Sequence, residues 1–229
     1  MRNTEQTSYS SLEKKHKGEI WPGEISFTEP QENKVIKRWV KNPDNFLGKG
    51  GAGMVFDLGD QCIKLIENRH ASPRAHMFNL GNIPVKEFTI QRMLNDFEIK
   101  GVFSPQVIRL LEDEKISAIM MERLDAVNMQ MVMNGKEELP KKFDLDDFFE
   151  RLEDFILAMH GELGVAHNDL EARNIMIDKK TGLPRVIDFG RSVCKSENTN
   201  IFEKAQREDD LNLNKLYEKM EEFLDKLNK

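Results

Sequence analysis

Between Gly164 and Gly190 the chain reads G-V-A-H-N-D-L-E-A-R-N-I-M-I-D-K-K-T-G-L-P-R-V-I-D-F-G, and no other stretch restricts its fold so tightly. Met176-Ile177 and Val186-Ile187 are short apolar runs on either side of Lys179-Lys180-Thr181-Gly182, a turn composition, so a β-hairpin is expected. A turn centred on Thr181 sets Asn174 directly opposite Asp188, where Cβ atoms lie about 5 Å apart on one face. Two oxygen ligands at that separation suit a hard divalent cation such as Mg²⁺, which takes only one or two protein oxygens alongside water and phosphate. A slip of one residue would send them to opposite faces. Asp169 precedes Asn174 on an approach too polar for a core strand, and a carboxylate there can accept a proton from an attacking hydroxyl. Together the three residues point to phosphoryl transfer. A surface hairpin whose Asp and Asn only cap a turn explains each residue singly, but not all three at this spacing.

Composition sets outer limits. A chain of 229 residues suffices for one sizeable domain or two small lobes, and 39% hydrophobic with 32% charged residues fits a soluble globular protein. A net charge of −6 argues against nucleic acid as a partner. No apolar run approaches a membrane span, and no apolar h-region follows Met1-Arg2-Asn3-Thr4, so no membrane contact and a cytoplasmic location are expected. Cys62 and Cys194 make no disulfide framework, and no Cys/His cluster suggests zinc. His160 and His167 read as structural.

Along the chain, Met1 to Gly18 is polar and is expected to be a mobile tail. Trp21, Ile25, Phe27, Val35, Ile36, Trp39 and Val40 follow as isolated large apolar residues, the last four at helical spacing, in a segment that can pack on a first lobe. Leu47 leads into Gly48-Lys49-Gly50-Gly51-Ala52-Gly53-Met54-Val55. A dinucleotide-binding loop would open a helix here, whereas Met54 to Leu58 reads as a strand. Glycines between two strands make a flap whose bare backbone N–H groups can approach phosphates. Gly59-Asp60 suits a two-residue turn, which places Val55 opposite Lys64, and Cys62 shares the face of Lys64. Val55, Cys62 and Lys64 thus form a roof for a purine with a cation reaching its phosphates.

These motifs resemble the signature set of protein kinases over roughly Phe46 to Gly190: the glycine loop, Cys62-Ile63-Lys64, His167-Asn168-Asp169-Leu170-Glu171-Ala172-Arg173-Asn174, and Asp188-Phe189-Gly190. The resemblance implies an α+β, two-lobed fold: an N-terminal extension over 1–45, an antiparallel-sheet N-lobe with one main helix over 46–124, and a reduced, mainly helical C-lobe over 125–229. It implies ATP and Mg²⁺, with Asp169 as catalytic base, Asn174 and Asp188 as metal ligands, and Lys64 paired with Glu87 of a helix beginning near Pro84. Leu47, Gly48, Gly50, Gly53, Val55, Cys62 and Lys64 would roof the nucleotide and Met176 would floor it. Met121 would be the gatekeeper, and Glu122 and Leu124 would bond the adenine through hinge backbone. Gln91, one turn beyond Glu87, is polar where an apolar residue is usual, and Asn68 to Asn82 reads as an inserted loop.

Several expectations concern departures. Asn168 stands where many kinases carry the Arg that binds a phosphorylated activation loop, so no activation by that route is expected. Glu171 replaces the Lys that serine/threonine kinases place two residues after the base. No A-P-E motif follows Gly190; instead a polar loop, Lys195 to Asn200, leads to a helix with Leu213, Leu216, Tyr217, Met220, Phe223, Leu224 and Leu227 on one side. Ala126 to Met133 is expected as a short helix, and Asp144 to Gly161 as a long one. The small kinases of the KEOPS and RIO type and short bacterial effector kinases are similar in shape, the latter implying delivery into a host cell. The implied activity is a reduced serine/threonine protein kinase acting on a protein hydroxyl, with an activating protein partner at the short C-lobe. A small-molecule kinase of the aminoglycoside or choline type and an ATP-hydrolysing binding module are the alternatives.

Overall fold

Alternation along the first strands decides which residues can reach a ligand. In the computed structural model, which describes residues 20–27, 30–50, 53–68, 83–113 and 115–227, β1 (Phe46–Lys49) and β2 (Met54–Asp57) flank the glycines. The expected tail over Met1 to Gly18, Gly51-Ala52 and nearly all of the expected insertion lie outside the described residues. With β3 (Gln61–Glu67), β4 (Val107–Glu112) and β5 (Ile116–Glu122) these strands form an antiparallel sheet in the order β1-β2-β3-β5-β4. Val55 pairs with Lys64 across the Gly59-Asp60 turn, as the sequence predicts, and Gly59 takes the positive φ of +97° that the turn needs.

Successive side chains of a strand face opposite ways, so Met54, Phe56, Ile63 and Leu65 share one face, and Val55, Cys62 and Lys64 the other. The first face is covered by the N-terminal segment. Trp21, Ile25 and Phe27, with Ile36 and Val40 from α1 (Pro30–Val40), pack against it as one apolar cluster. Each such burial contributes roughly 1.5–3 kcal/mol, which offsets the ordering of a short helix. The second face meets α2 (Ile83–Met93), whose Phe88 packs with Cys62, Ile66 and Met121, while its Ile90 and the following Leu94 join the core of the other half.

That half is mainly helical. Asp144 caps α4 (Leu145–Ala158) by accepting the Asp147 N–H at 3.0 Å, and Phe148, Phe149, Leu152, Phe155 and Ile156 are buried along one stripe. A π turn over Met159–Leu163 follows, closed by Gly164 at φ +62°. β7 (Val165–Ala166) pairs with β10 (Val193–Cys194), and β8 (Ile175–Asp178) lies between β6 (Ala126–Asn128) and β9 (Pro184–Val186). Ala126 to Met133 is therefore not one helix. Val127 is drawn into the sheet opposite Ile177, and Asn128 then caps the short α3 (Met129–Met133) with its side chain. α5 (Thr199–Leu227) begins once Asn198 accepts the Ile201 N–H, so the expected polar loop is shorter than its sequence indicates. Leu213, Leu216 and Met220 are buried and Tyr217 and Phe223 partly so, but Leu227 is 62% exposed and the apolar stripe ends before it. The helix closes the base of the second half.

Candidate active site

The hairpin forms with a register one residue away from that expected: Ile175 pairs with Val186, Met176 with Arg185 and Ile177 with Pro184. The cause is the turn. The Asp178 carboxylate accepts the N–H groups of Lys180 and Thr181 and the Thr181 hydroxyl, and Gly182 closes the loop at φ +77° with its N–H on the Asp178 carbonyl. The turn centre therefore falls between Lys180 and Thr181. Asn174 lies opposite Ile187, whose N–H it binds at 3.0 Å through its main-chain carbonyl. Asp188, instead of facing Asn174, takes a left-handed conformation at φ +64°, unusual for a residue other than glycine.

That turn aims Asp188 at Lys64. The Lys64 ammonium lies 2.8 Å from Asp188 Oδ1 and 2.6 Å from Glu87 Oε1, so one buried cation joins β3, α2 and the end of the hairpin. Burial alone would lower the Lys64 pKa, but Glu87 and Asp188 outweigh it and hold the ammonium above its ordinary value. Glu87 is the more deeply buried carboxylate, and burial pushes it up despite the cation. For Asp188 burial acts upward too, but Lys64 prevails and holds the carboxyl below its ordinary range. Gln91 leaves this register intact: buried, it donates to the Pro105 carbonyl at 2.8 Å beside the Met121 sulfur.

The glycines have unequal tasks. A Cβ on Gly53 would collide with the Leu65 carbonyl, so Gly53 is required for β2 to lie on β3. Gly48 has open space, and a Cβ on Gly50 would sit 3.6 Å from Asp188 Oδ2, so the flap descends on the Asp188 carboxylate. Val55 and Leu47 are partly and largely exposed beneath and beside the flap. Cys62 pairs with Met121 across β3 and β5, and its thiol is pushed up to about 12, first by burial and then by the Asp57 charge. The Cys62 sulfur lies 3.6 Å from the Glu122 carbonyl, and Leu124 follows in the connection to β6. Met176 is half-buried on β8, its sulfur 3.4 Å from the Asn128 amide.

Below the flap, Asp169 accepts the Asn174 amide at 3.0 Å, both of its oxygens accept Arg173, at 2.9 and 3.0 Å, and Arg191 adds a contact at 3.2 Å. Glu171 pairs with Arg173 and so steadies it against Asp169. Neither arginine was among the predicted site residues; Arg173 is legible as a cation one helical turn after the base, and Arg191 only as the residue after Asp188-Phe189-Gly190. Asp209 was missed as well. Fully buried in α5, it accepts the backbone N–H groups of His167 at 2.7 Å and Asn168 at 2.8 Å, with the His160 ring 3.0 Å away. Its signal is its place in the stripe Phe202, Ala205, Leu213, Leu216, Met220, where an apolar residue is otherwise due. Asn168 adopts φ +59°, a conformation asparagine tolerates, and donates to the Arg191 carbonyl. His160 and His167 are both buried, and the His167 ring packs on Phe189 at 4.9 Å and contacts the Ile187 carbonyl, in keeping with structural roles.

The donor set fits Mg²⁺. Asn174 spends its amide nitrogen on Asp169, which frees its carbonyl oxygen, and Asp188 keeps Oδ2 on the side of the flap, so both offer hard oxygens.

Several known proteins are similar to parts of this chain. Residues 88–195 match the model of the phosphotransferase enzyme family, a stretch that contains Asp169, Asn174 and Asp188 but neither the flap nor Lys64. A probable serine/threonine-protein kinase of Dictyostelium discoideum is 21% identical over 160 residues, 67% of this chain and 15% of that protein. Two solved structures of WbdD, a bifunctional kinase-methyltransferase, superpose with TM-scores of 0.53 and 0.50 at 20% identity. They cover 75% and 72% of this chain, which spans only 37% and 34% of theirs. The likeness to these structures is one of fold: an antiparallel five-stranded sheet beside a mainly helical second half, the α+β kinase-like architecture that the motifs imply.

Proposed function

We infer that the chain is a Mg²⁺-ATP-dependent phosphotransferase, a kinase that moves the γ-phosphoryl group to a protein serine or threonine hydroxyl. The observation that carries this reading is the Lys64–Glu87–Asp188 cluster, assembled directly beneath the glycine flap. Lys64 orients the phosphates, and the hinge from Glu122 to Leu124 with Val55, Cys62, Met121 and Met176 holds the base. Asn174 and Asp188 would hold Mg²⁺, which would supply charge neutralisation on the phosphates. The acceptor oxygen forms a bond to the γ-phosphorus, the bond from that phosphorus to the β,γ-bridging oxygen breaks, Asp169 takes the hydroxyl proton, and ADP leaves. Arg173 and Arg191 stand where charge on the transferring group must be met, which compensates for Glu171 at the usual lysine position.

The test is ADP release and phosphate transfer from labelled ATP, with and without a cell lysate as acceptor source. Wild type is expected to label a protein, and Asp169→Asn to lose about 10²–10⁴-fold in transfer while still binding nucleotide. Equal transfer by both would remove the role assigned to Asp169. The phosphotransferase family match favours a second reading, a small-molecule acceptor. A panel of amino-sugars and choline-like alcohols separates the two: ADP release driven by one of them, with no protein labelled, replaces the protein acceptor.

A further inference from the structure

Helix α2 carries Glu87 to Lys64, yet its two ends are held differently. Toward its C-terminal end Ile90 and the adjoining Leu94 are 1% and 0% exposed and belong to the core of the helical half. In its first turns Pro84 and Glu87 are buried, while Val85 between them is 37% exposed. There Lys86 reaches across to the segment after β10 and pairs with Glu197 at 2.7 Å, its own side chain only 16% exposed. Glu197 does not sit on a free loop. Its N–H binds the Cys194 carbonyl, the Lys195 N–H binds the Gly164 carbonyl, and Asn198 next in sequence is the cap of α5. The short connection is thus tied at both ends, so the carboxylate is offered in place and little conformational freedom is lost in forming the pair. Gly190 approaches Glu87 on the same side: a Cβ there would lie 3.1 Å from Glu87 Oε2.

We propose that Lys86 and Glu197 are positioning residues, a fixed inter-lobe latch that holds the start of α2 down so that Glu87 meets Lys64 without any phosphorylated loop. The latch rests on the phosphotransferase reading for its catalytic consequence, but not for its structural one. An exposed ion pair is ordinarily worth little; here Glu197 is 48% exposed, and the pair is distinguished by a partly buried lysine, a tethered carboxylate and its adjacency to Glu87.

The experiment compares wild type, Glu197→Gln, Lys86→Glu and the charge swap Lys86→Glu/Glu197→Lys by two measurements. Amide hydrogen exchange over residues 83–93 reads the latch directly. The single variants are expected to exchange about tenfold faster there than wild type, and the swap to return to within about threefold. In turnover, kcat is expected to fall about three- to tenfold in the single variants with KM for ATP changed less than kcat, and to recover in the swap. Exchange in the single variants equal to wild type, or a swap as fast as its parents, overturns the latch. Absent turnover in wild type overturns the phosphotransferase reading, while the exchange result still decides the latch.

Discussion

The two halves of the candidate site hold their charges in opposite ways. Above, Lys64, Glu87 and Asp188 form a cluster in which the lysine and Glu87 are 6% and 1% exposed at the side chain, one cation shared between two carboxylates. Below, Asp169 is met by Arg173 and Arg191, whose side chains are 49% and 67% exposed. A buried charge cannot be rescued by water when its partner is removed, whereas an exposed one can. The upper half is therefore built to be fixed and the lower half to be exchanged: guanidinium groups that now rest on Asp169 can turn to an incoming phosphate at small cost. Asp209 stands between the two regimes, a fully buried carboxylate whose partners are backbone N–H groups of the catalytic loop.

Three substitutions probe that contrast. The largest effect is expected for Lys64→Met, which leaves Glu87 and Asp188 without their cation and costs about 3–5 kcal/mol in chemical unfolding. The cost has a defined pH window. Asp188, held low, contributes stability that is complete above its ordinary 3.8 and is lost as the pH falls through its lowered value. Lys64, held high, contributes stability that is complete below its ordinary 10.5 and is lost as the pH rises through its raised value. The gap between wild type and Lys64→Met should close as the pH falls through the carboxylate range and again as it rises through the raised value of Lys64; a gap that instead grows toward acid would mean that Asp188 is not the partner. Next in size is Asp209→Asn. An amide can replace one acceptor but turns its own N–H groups toward the donors of His167 or Asn168, at a cost of about 2 kcal/mol, with turnover falling as the loop loosens. Unchanged turnover in that variant would detach the loop from α5. The smallest effect on stability, within about 0.5 kcal/mol, is expected for Arg191→Gln, with phosphate transfer reduced several-fold and little effect on nucleotide binding. A loss of stability comparable to that of Lys64→Met would erase the distinction between the halves.

The parts of this arrangement legible in the sequence are those fixed by local spacing. The strands around the glycines, the pairing of Val55 with Lys64, the stripe of α4 and the partnership of Lys64 with Glu87 all follow from periodicity or from the order of the motifs. The hairpin register did not, because it depends on Asp178, a residue that reads as the end of a strand yet organises the whole turn through its carboxylate. Asp188, expected directly opposite Asn174, instead takes a left-handed backbone that turns its carboxylate to Lys64, which no spacing rule anticipates. Ala126 to Asn128 became a strand because β8 offered a neighbour distant in sequence. Asp209 was hidden among Glu208 and Asp210, where a run of acids looks like a solvated helix face until the apolar stripe on either side is counted.

The bonds from Asp209 to the loop also impose an order of assembly. His167 and Asp209 are 42 residues apart, so during synthesis the complete set of motif residues emerges before the carboxylate that fastens their backbone. Chains fold from the N-terminal side as they are made. A nascent chain ending just before Asp209 would possess Lys64, Asp169, Asn174 and Asp188, yet hold its catalytic loop unfastened. Helix α5 thus acts as a timer: the backbone of His167 and Asn168 is fastened only when that helix has formed and docked.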